Sequence, residues 1–224
     1  MHLHALTLYT RDLAAQRDFY AHTLGFPVEA QTSGQVTFRT GSSLLSLVED
    51  ATASGFSHLA WDIPPGQVDE AQAWLSPRVR LLHDKTGEKR FLPGERWNTT
   101  NLYFEDPDGN ILEFAARHHL LPLPAVPGPF GPQEVRHLSE FGLVVPDVNA
   151  AVRDLASRFG LFPFNGQSET FTAVGSHEGM FIVVPEGRGW FPVGRPAVPA
   201  PFRVTFSGGP HHHRLARASK EVRA

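Results

Sequence analysis

LTLYTRDLAAQRDFYAHTLGF, residues 6–26, and FGLVVPDVNAAVRDLASRFGL, residues 141–161, are one pattern written twice. Asp12 and Gly25 lie 13 residues apart, as do Asp147 and Gly160, and one offset of 135 residues carries each onto its counterpart. The same offset sets Leu6 and Leu8 on Phe141 and Leu143, Leu13 on Val148, Ala15 on Ala150, and Leu24 on Phe159. Each copy opens with apolar residues at every second position, the period of a strand. An aspartate follows, suited to accept from the free N–H groups of a helix start. About ten residues later comes glycine, the residue that most readily adopts the left-handed turn closing a helix. The chain therefore repeats a strand–helix unit.

Working outward, the first copy is followed by strand-like stretches at Pro27–Ala30, Gln35–Thr40 and Ser43–Val48, separated by the turn signals Ser33-Gly34 and Gly41-Ser42. This is a β-α-β-β-β module. A second module starts at Phe56, with a strand at Ser57–Ile63, a helix at Pro65–Leu75 and a strand at Val79–Leu82. It ends in a hairpin of Asn101–Glu105 and Asn110–Ala116 across Asp106-Pro107-Asp108-Gly109, strong turn chemistry. Residues 83–98 are a polar insertion, and Leu120–Pro132, with five prolines and two glycines, is a linker. A third module runs from about Val135 to Pro185; Pro201–Phe206 adds one strand before a polar, basic tail. The predicted fold class is α+β: repeated β-α-β-β-β modules forming curled mixed sheets with helices on the outer face. The predicted division is 1–117 for modules one and two, 118–134 for a linker, 135–187 for module three, and 188–224 for a partial fourth module and tail.

Of the 224 residues, 41% are hydrophobic and 19% charged, enough apolar side chain for a core and too much for a disordered chain. With 20 Lys+Arg against 23 Asp+Glu, there is no basic field to bind phosphates, so nucleic acid is not an expected partner. No apolar run reaches the ~18 residues of a membrane span, and Met1–Thr10 read as a strand with histidines, without the basic start and apolar stretch expected of a signal peptide. Cysteine is absent, which removes thiolate chemistry and cysteine metal sites and is compatible with a cytoplasmic location. Twelve histidines remain as a source of metal or acid–base chemistry.

Neighbouring strand residues point to opposite faces. Leu59, Trp61 and Ile63 form one face and His58, Ala60 and Asp62 the other; Leu112 and Phe114 oppose Ile111, Glu113 and Ala115; Phe141 and Leu143 oppose Glu140 and Gly142. The helices must cover the more apolar faces. His58, Glu113 and Glu140 are therefore expected together on the opposite face, a concave one if the sheet curls. Carboxylates in such a place need a partner or a cation. One imidazole and two carboxylates suit a divalent metal, Fe, Mn, Ni or Zn, with open positions for substrate. Tyr103 is a candidate cavity aromatic, whereas Trp61 and Phe141 are expected in the core. His83, His118 and His119 are expected at the surface.

TRDLAAQRDFYAHTLGF (10–26), SHLAWDI (57–63) and YFEDPDGNILEF (103–114) resemble the vicinal oxygen chelate superfamily of glyoxalases, bleomycin-resistance proteins and extradiol dioxygenases. The first is similar to the family's D-L-x-x-S-x-x-F-Y-x-x-x-L-G-F signature, with its small residue replaced. The last is similar to its D-P-D-G-N-x-x-E hairpin. The resemblance implies paired modules curled around one divalent metal, with ligands from the first and last strands of a module. His58 and Glu113 match two such positions, and Glu140 matches a third. Ala5 and Ser46 stand where module one would carry ligands, so modules two and three are expected to form the working cup. VTFSGGPHHHRL (204–215) resembles the start of the fourth module in two-domain catechol 2,3-dioxygenase-like members; His211, His212 and His213 are either its vestige or a solvated tail. A truncated fourth module would leave module one to pair across a homodimer. The resemblance implies a metal-dependent ring-cleaving dioxygenase or glyoxalase-like lyase acting on a small substrate with adjacent oxygens, with Glu140 also a candidate for proton transfer. The alternative is a metal-free, ligand-sequestering protein of the bleomycin-resistance kind.

Overall fold

The computed structural model describes residues 1–92, 94, 97–119 and 129–218. Strand β1 (His2–Thr10) leads into helix α1 (Leu13–Asp18), which continues as a widened turn over Phe19–Thr23, and then β2 (Val28–Gln31), β3 (Gln35–Thr40) and β4 (Ser43–Glu49). Module two is β5 (His58–Asp62), α2 (Val68–Leu75), β6 (Arg90–Phe91), β7 (Thr99–Glu105) and β8 (Ile111–Arg117). Module three is β9 (His137–Val145), α3 (Val148–Phe159), β10 (Thr172–Ser176) and β11 (Gly179–Pro185). A small hairpin of β12 (Gly189–Trp190) and β13 (Arg195–Pro196) precedes β14 (Phe202–Gly208) and β15 (His211–Arg217).

The repeated caps form as the sequence requires. Asp12 accepts from the N–H of Ala15 and Asp147 from that of Ala150, each at 2.9 Å, and Gly160 closes α3 at φ +66°. Val79–Leu82 is not a strand. Leu82 makes a single backbone bond to Tyr103 O, and the strand beside β7 is instead β6, inside the 83–98 insertion. The expected linker lies partly outside the described residues.

Two sheets result. One has the order β15-β14-β1-β4-β3-β2 and the other β10-β11-β9-β5-β8-β7-β6. Each joins two modules through antiparallel first strands, β1 with β14 and β5 with β9. Modules two and three thus share one sheet. Two expectations are corrected. Module one is not left without a partner within the chain, because β14 occupies its open edge; that edge is not free for a second chain. Of the two readings of His211, His212 and His213, the three remain exposed or half-exposed to solvent but are not an unstructured tail, because they lie in β15, which pairs with β14 from Phe202↔Arg217 to Gly208↔His211 and satisfies backbone groups that β14 would otherwise leave bare.

The helix-bearing faces of both sheets contribute to one core, which includes Leu6, Leu8, Trp61, Phe114, Phe141 and Phe206. Trp61 and Phe141 sit there as expected. Buried Ser43 joins the sheets, donating to Leu3 O at 2.6 Å and accepting from the N–H of Leu138 at 3.0 Å. The β3–β4 turn presses on the start of β9 so closely that a Cβ on Gly41 would fall 2.0 Å from Arg136 O. Among the described residues no helix is long and apolar enough to cross a membrane.

Candidate metal centre

The face of the second sheet turned away from its helices carries a second apolar cluster, with Tyr103, Ile111, Val144, Met180, Ile182 and Trp190. His58, Glu113 and Glu140 stand among these residues, all buried. Register explains their meeting. Ala60 pairs with Glu113 on one side of β5 and with Glu140 on the other, and His58 precedes Ala60 by two residues on the same face. One potential ligand atom from each lies within 4.8 Å of the others, and no other such cluster of three occurs among the described residues. His58 Nε2 is 3.4 Å from Glu113 Oε2 and 3.9 Å from Glu140 Oε2.

The surrounding bonds orient these groups. His58 Nδ1 donates to Ile111 O at 3.2 Å, which turns Nε2 toward the two carboxylates. Arg117, 1% exposed, donates through Nη2 to Glu140 Oε1 and through Nε to Asp62 Oδ1 at 2.9 Å. Asp62 Oδ2 in turn lies 3.6 Å from His137 Nε2. Sequence reasoning missed Arg117, although alternation along β8 places it on the same face as Glu113. Asn101 Nδ2 donates to the Tyr103 hydroxyl at 3.3 Å, and Tyr103 interacts with Glu113.

Burial opposes the charge of Glu113, Glu140 and Arg117. It pushes the Glu113 carboxyl well above its usual range, and the charge of Glu140 adds to the effect. Burial also works against ionised Glu140, but Arg117 and then His58 outweigh it and hold that carboxyl below its usual range. Burial likewise disfavours the Arg117 cation, yet Glu140 and Asp62 overcome this and raise its pKa. Three buried carboxylates against one guanidinium leave two negative charges uncompensated when all are ionised. A divalent cation would balance them, and an imidazole with two carboxylates is a suitable donor set. The residues fit the group the sequence implies.

A cavity of about 410 Å³ opens over these three side chains, walled by Trp97, Tyr103, Phe171 and Trp190. The Trp190 ring centre lies 5.0 Å from that of His58, the rings tilted by 42°, and Trp190 rests on Gly142, where a Cβ would fall 2.8 Å from the indole. Trp190 had no sequence signal, because it follows module three in a segment without period. Other histidines lie elsewhere. His4 sits at a bulge in β1, 3.0 Å from Ser207 Oγ and beside His212. His83 and His119 are exposed, and His118 meets Thr100 Oγ1 at 2.9 Å.

With this geometry in place, comparisons with known proteins agree on the fold. A family model described as Glyoxalase/Bleomycin resistance protein/Dioxygenase superfamily matches residues 2–114, just over half of the chain. The crystal structure of a candidate dioxygenase from Bacillus subtilis is similar at a TM-score of 0.62 and 18% identity, over 89% of this chain and 68% of that one. A mutant of glyoxalase I from Zea mays is similar at a TM-score of 0.55 and 14% identity, over 82% of this chain and 66% of that one. A comparison with curated protein sequences gave no significant match.

Proposed function

Because the chain belongs to the Glyoxalase/Bleomycin resistance protein/Dioxygenase superfamily, we propose that it is a metal-dependent enzyme of the vicinal oxygen chelate type, with His58, Glu113 and Glu140 holding one divalent ion. The observation that carries this reading is the convergence of these three buried side chains at the floor of a cavity, with an excess of negative charge around them. When bound, the ion supplies Lewis-acid polarisation to two adjacent oxygens of a small substrate.

The chain's own residues supply the rest. The aromatic walls exclude water and strengthen charge interactions at the floor. His58 is fixed in orientation by Ile111 O, and Glu140 by Arg117. Since Arg117 occupies Glu140 Oε1, only Oε2 is left; ligand duty and proton transfer at Glu140 compete for that oxygen. The ligand role is the one its position beside His58 supports. Tyr103, whose phenol burial keeps protonated, donates toward Glu113 and limits how that carboxylate can turn. Ring-cleaving and glyoxalase-like reactions are both compatible with this floor. Descent from a two-domain, catechol dioxygenase-like protein is supported by β14 and β15, which stand where a fourth module begins.

A metal-free, ligand-sequestering role is the second reading, and Arg117 favours it by already giving Glu140 a buried counter-charge. Elemental analysis of protein purified anaerobically separates the two. The expected result is about one Fe, Mn, Ni or Zn per chain, lost in His58→Ala while the folded far-UV spectrum is kept. Wild-type protein without metal after soaking would overturn the enzyme reading, as would undiminished metal in His58→Ala.

A further inference from the structure

Among the described residues five arginines lie over aromatic rings: Arg78 over Trp74, Arg158 over Phe159, Arg195 over Phe56, Arg217 over Phe202, and Arg188 over Phe171 and Trp190. Four of them also hydrogen-bond or ion-pair within the protein, to Trp74 O, Asp154, Glu105 with Gly109 O, and Val144 O respectively. Arg188 is the exception. Its guanidinium is 5.1 Å from the centre of the Phe171 ring and 5.8 Å from that of Trp190, and among the described residues no carboxylate or carbonyl accepts from it.

Its placement gives this exception a meaning. Arg188 lines the cavity whose floor is His58, Glu113 and Glu140. It is half-buried, so its charge has lost part of its water without gaining an anion, and burial lowers its pKa accordingly. The rings of Phe171 and Trp190 hold the guanidinium in place, while its N–H groups stay free for a carboxylate, the geometry an arginine fork recognises best. With a divalent ion balancing Glu113 and Glu140, Arg188 is the remaining uncompensated charge on the cavity wall among the described residues. Much of the remaining wall is aromatic, with Trp97, Tyr103, Phe171 and Trp190, and suits a flat ring.

We infer that the cavity takes a small aromatic monoanion, with its carboxylate on Arg188, its ring between the aromatic walls and its adjacent oxygens toward His58, Glu113 and Glu140. This rests on the metal-dependent reading only for the last of the three contacts, and the two can be tested apart.

Three probes do so by isothermal titration: benzoate, which has a carboxylate and no adjacent oxygens; catechol, which has the reverse; and protocatechuate, which has both. Benzoate should bind protein stripped of metal and weaken about fivefold or more in Arg188→Gln, less in Arg188→Lys, as expected for loss of a charge-assisted hydrogen bond. On zinc-loaded protein, protocatechuate should bind about tenfold more tightly than catechol, and Arg188→Gln should bring that ratio close to one. If neither benzoate affinity nor the ratio responds to Arg188→Gln, the inference is wrong. Benzoate binding that follows Arg188, with catechol indifferent to zinc, would keep the anion subsite and reject the metal site. Zinc-dependent catechol binding with no advantage to protocatechuate would do the opposite.

Discussion

On the second sheet Ala60 pairs with Glu113 in β8 and faces Glu140 in β9; on the first, Thr7 pairs with Ser46 in β4 and faces Arg203 in β14. Ala5 stands two residues before Thr7, as His58 does before Ala60. The two sheets thus share a layout, but at matching places one has buried ionisable groups and the other has small or exposed ones. Ser46 Oγ lies 2.8 Å from Thr37 Oγ1, so these hydroxyls satisfy each other, while Arg203 reaches solvent. The difference lies in cover. Trp190 and its hairpin roof the second face, whereas Ala5, Thr7 and Tyr9 remain half-exposed on the first. A shared fold fixed where chemistry could be placed, and the roof determined which face could hold it.

The sharpest way to break this contrast is to remove Arg117. Arg117→Ala leaves Glu140 and Asp62 buried without their cation, and urea unfolding should show a loss of about 3–5 kcal/mol. A loss below about 1 kcal/mol would mean that the carboxylates simply take up protons.

Asp106, in the module-two hairpin, offers the next largest effect. Burial raises its pKa to about 6, although Asn110, Tyr20 and the N–H of Asp108 all donate to it. The folded protein therefore holds a proton that the unfolded chain releases near pH 4. This contribution is complete below about pH 4 and is lost as pH rises to about 6, a change of roughly 3 kcal/mol at most. The difference in unfolding midpoint between wild type and Asp106→Asn should track that window and be flat above it. The corresponding turn of module one, Thr40–Ser43, has no titratable side chain.

Gly142→Ala tests the roof. The new methyl would lie 2.8 Å from the Trp190 ring and 3.1 Å from His58 Cβ, at a cost of about 1–3 kcal/mol with altered tryptophan fluorescence. The first sheet carries a side chain, Thr7, at the place that matches Ala60, and has no roof to disturb. Arg203→Ala, on that open face, should change stability by no more than about 0.5 kcal/mol. A larger loss would show that the first sheet also depends on charge.

His58, Glu113 and Glu140 were legible because strand alternation survives folding, even with the bulge between β5 and β9. The duplicated caps were legible for a similar reason, since Asp and Gly at helix ends act locally. Arg117 was not, because a basic residue beside His118 and His119 reads as solvated until register sets it against Asp62 and Glu140. β15 was hidden by its polar composition; an edge strand with both faces near water needs no apolar alternation. The edge beside β7 was misjudged because the insertion, and not Val79–Leu82, supplies β6.

The row Glu140, Arg117, Asp62 and His137 does not stop at the cavity. The His137 ring lies 5.3 Å from that of His2 in β1, and His2 lies 4.9 Å from His4. Burial first, and then the charge of His137, lowers the pKa of His2. The two sheets thus meet at this edge through imidazole rings as well as through apolar side chains.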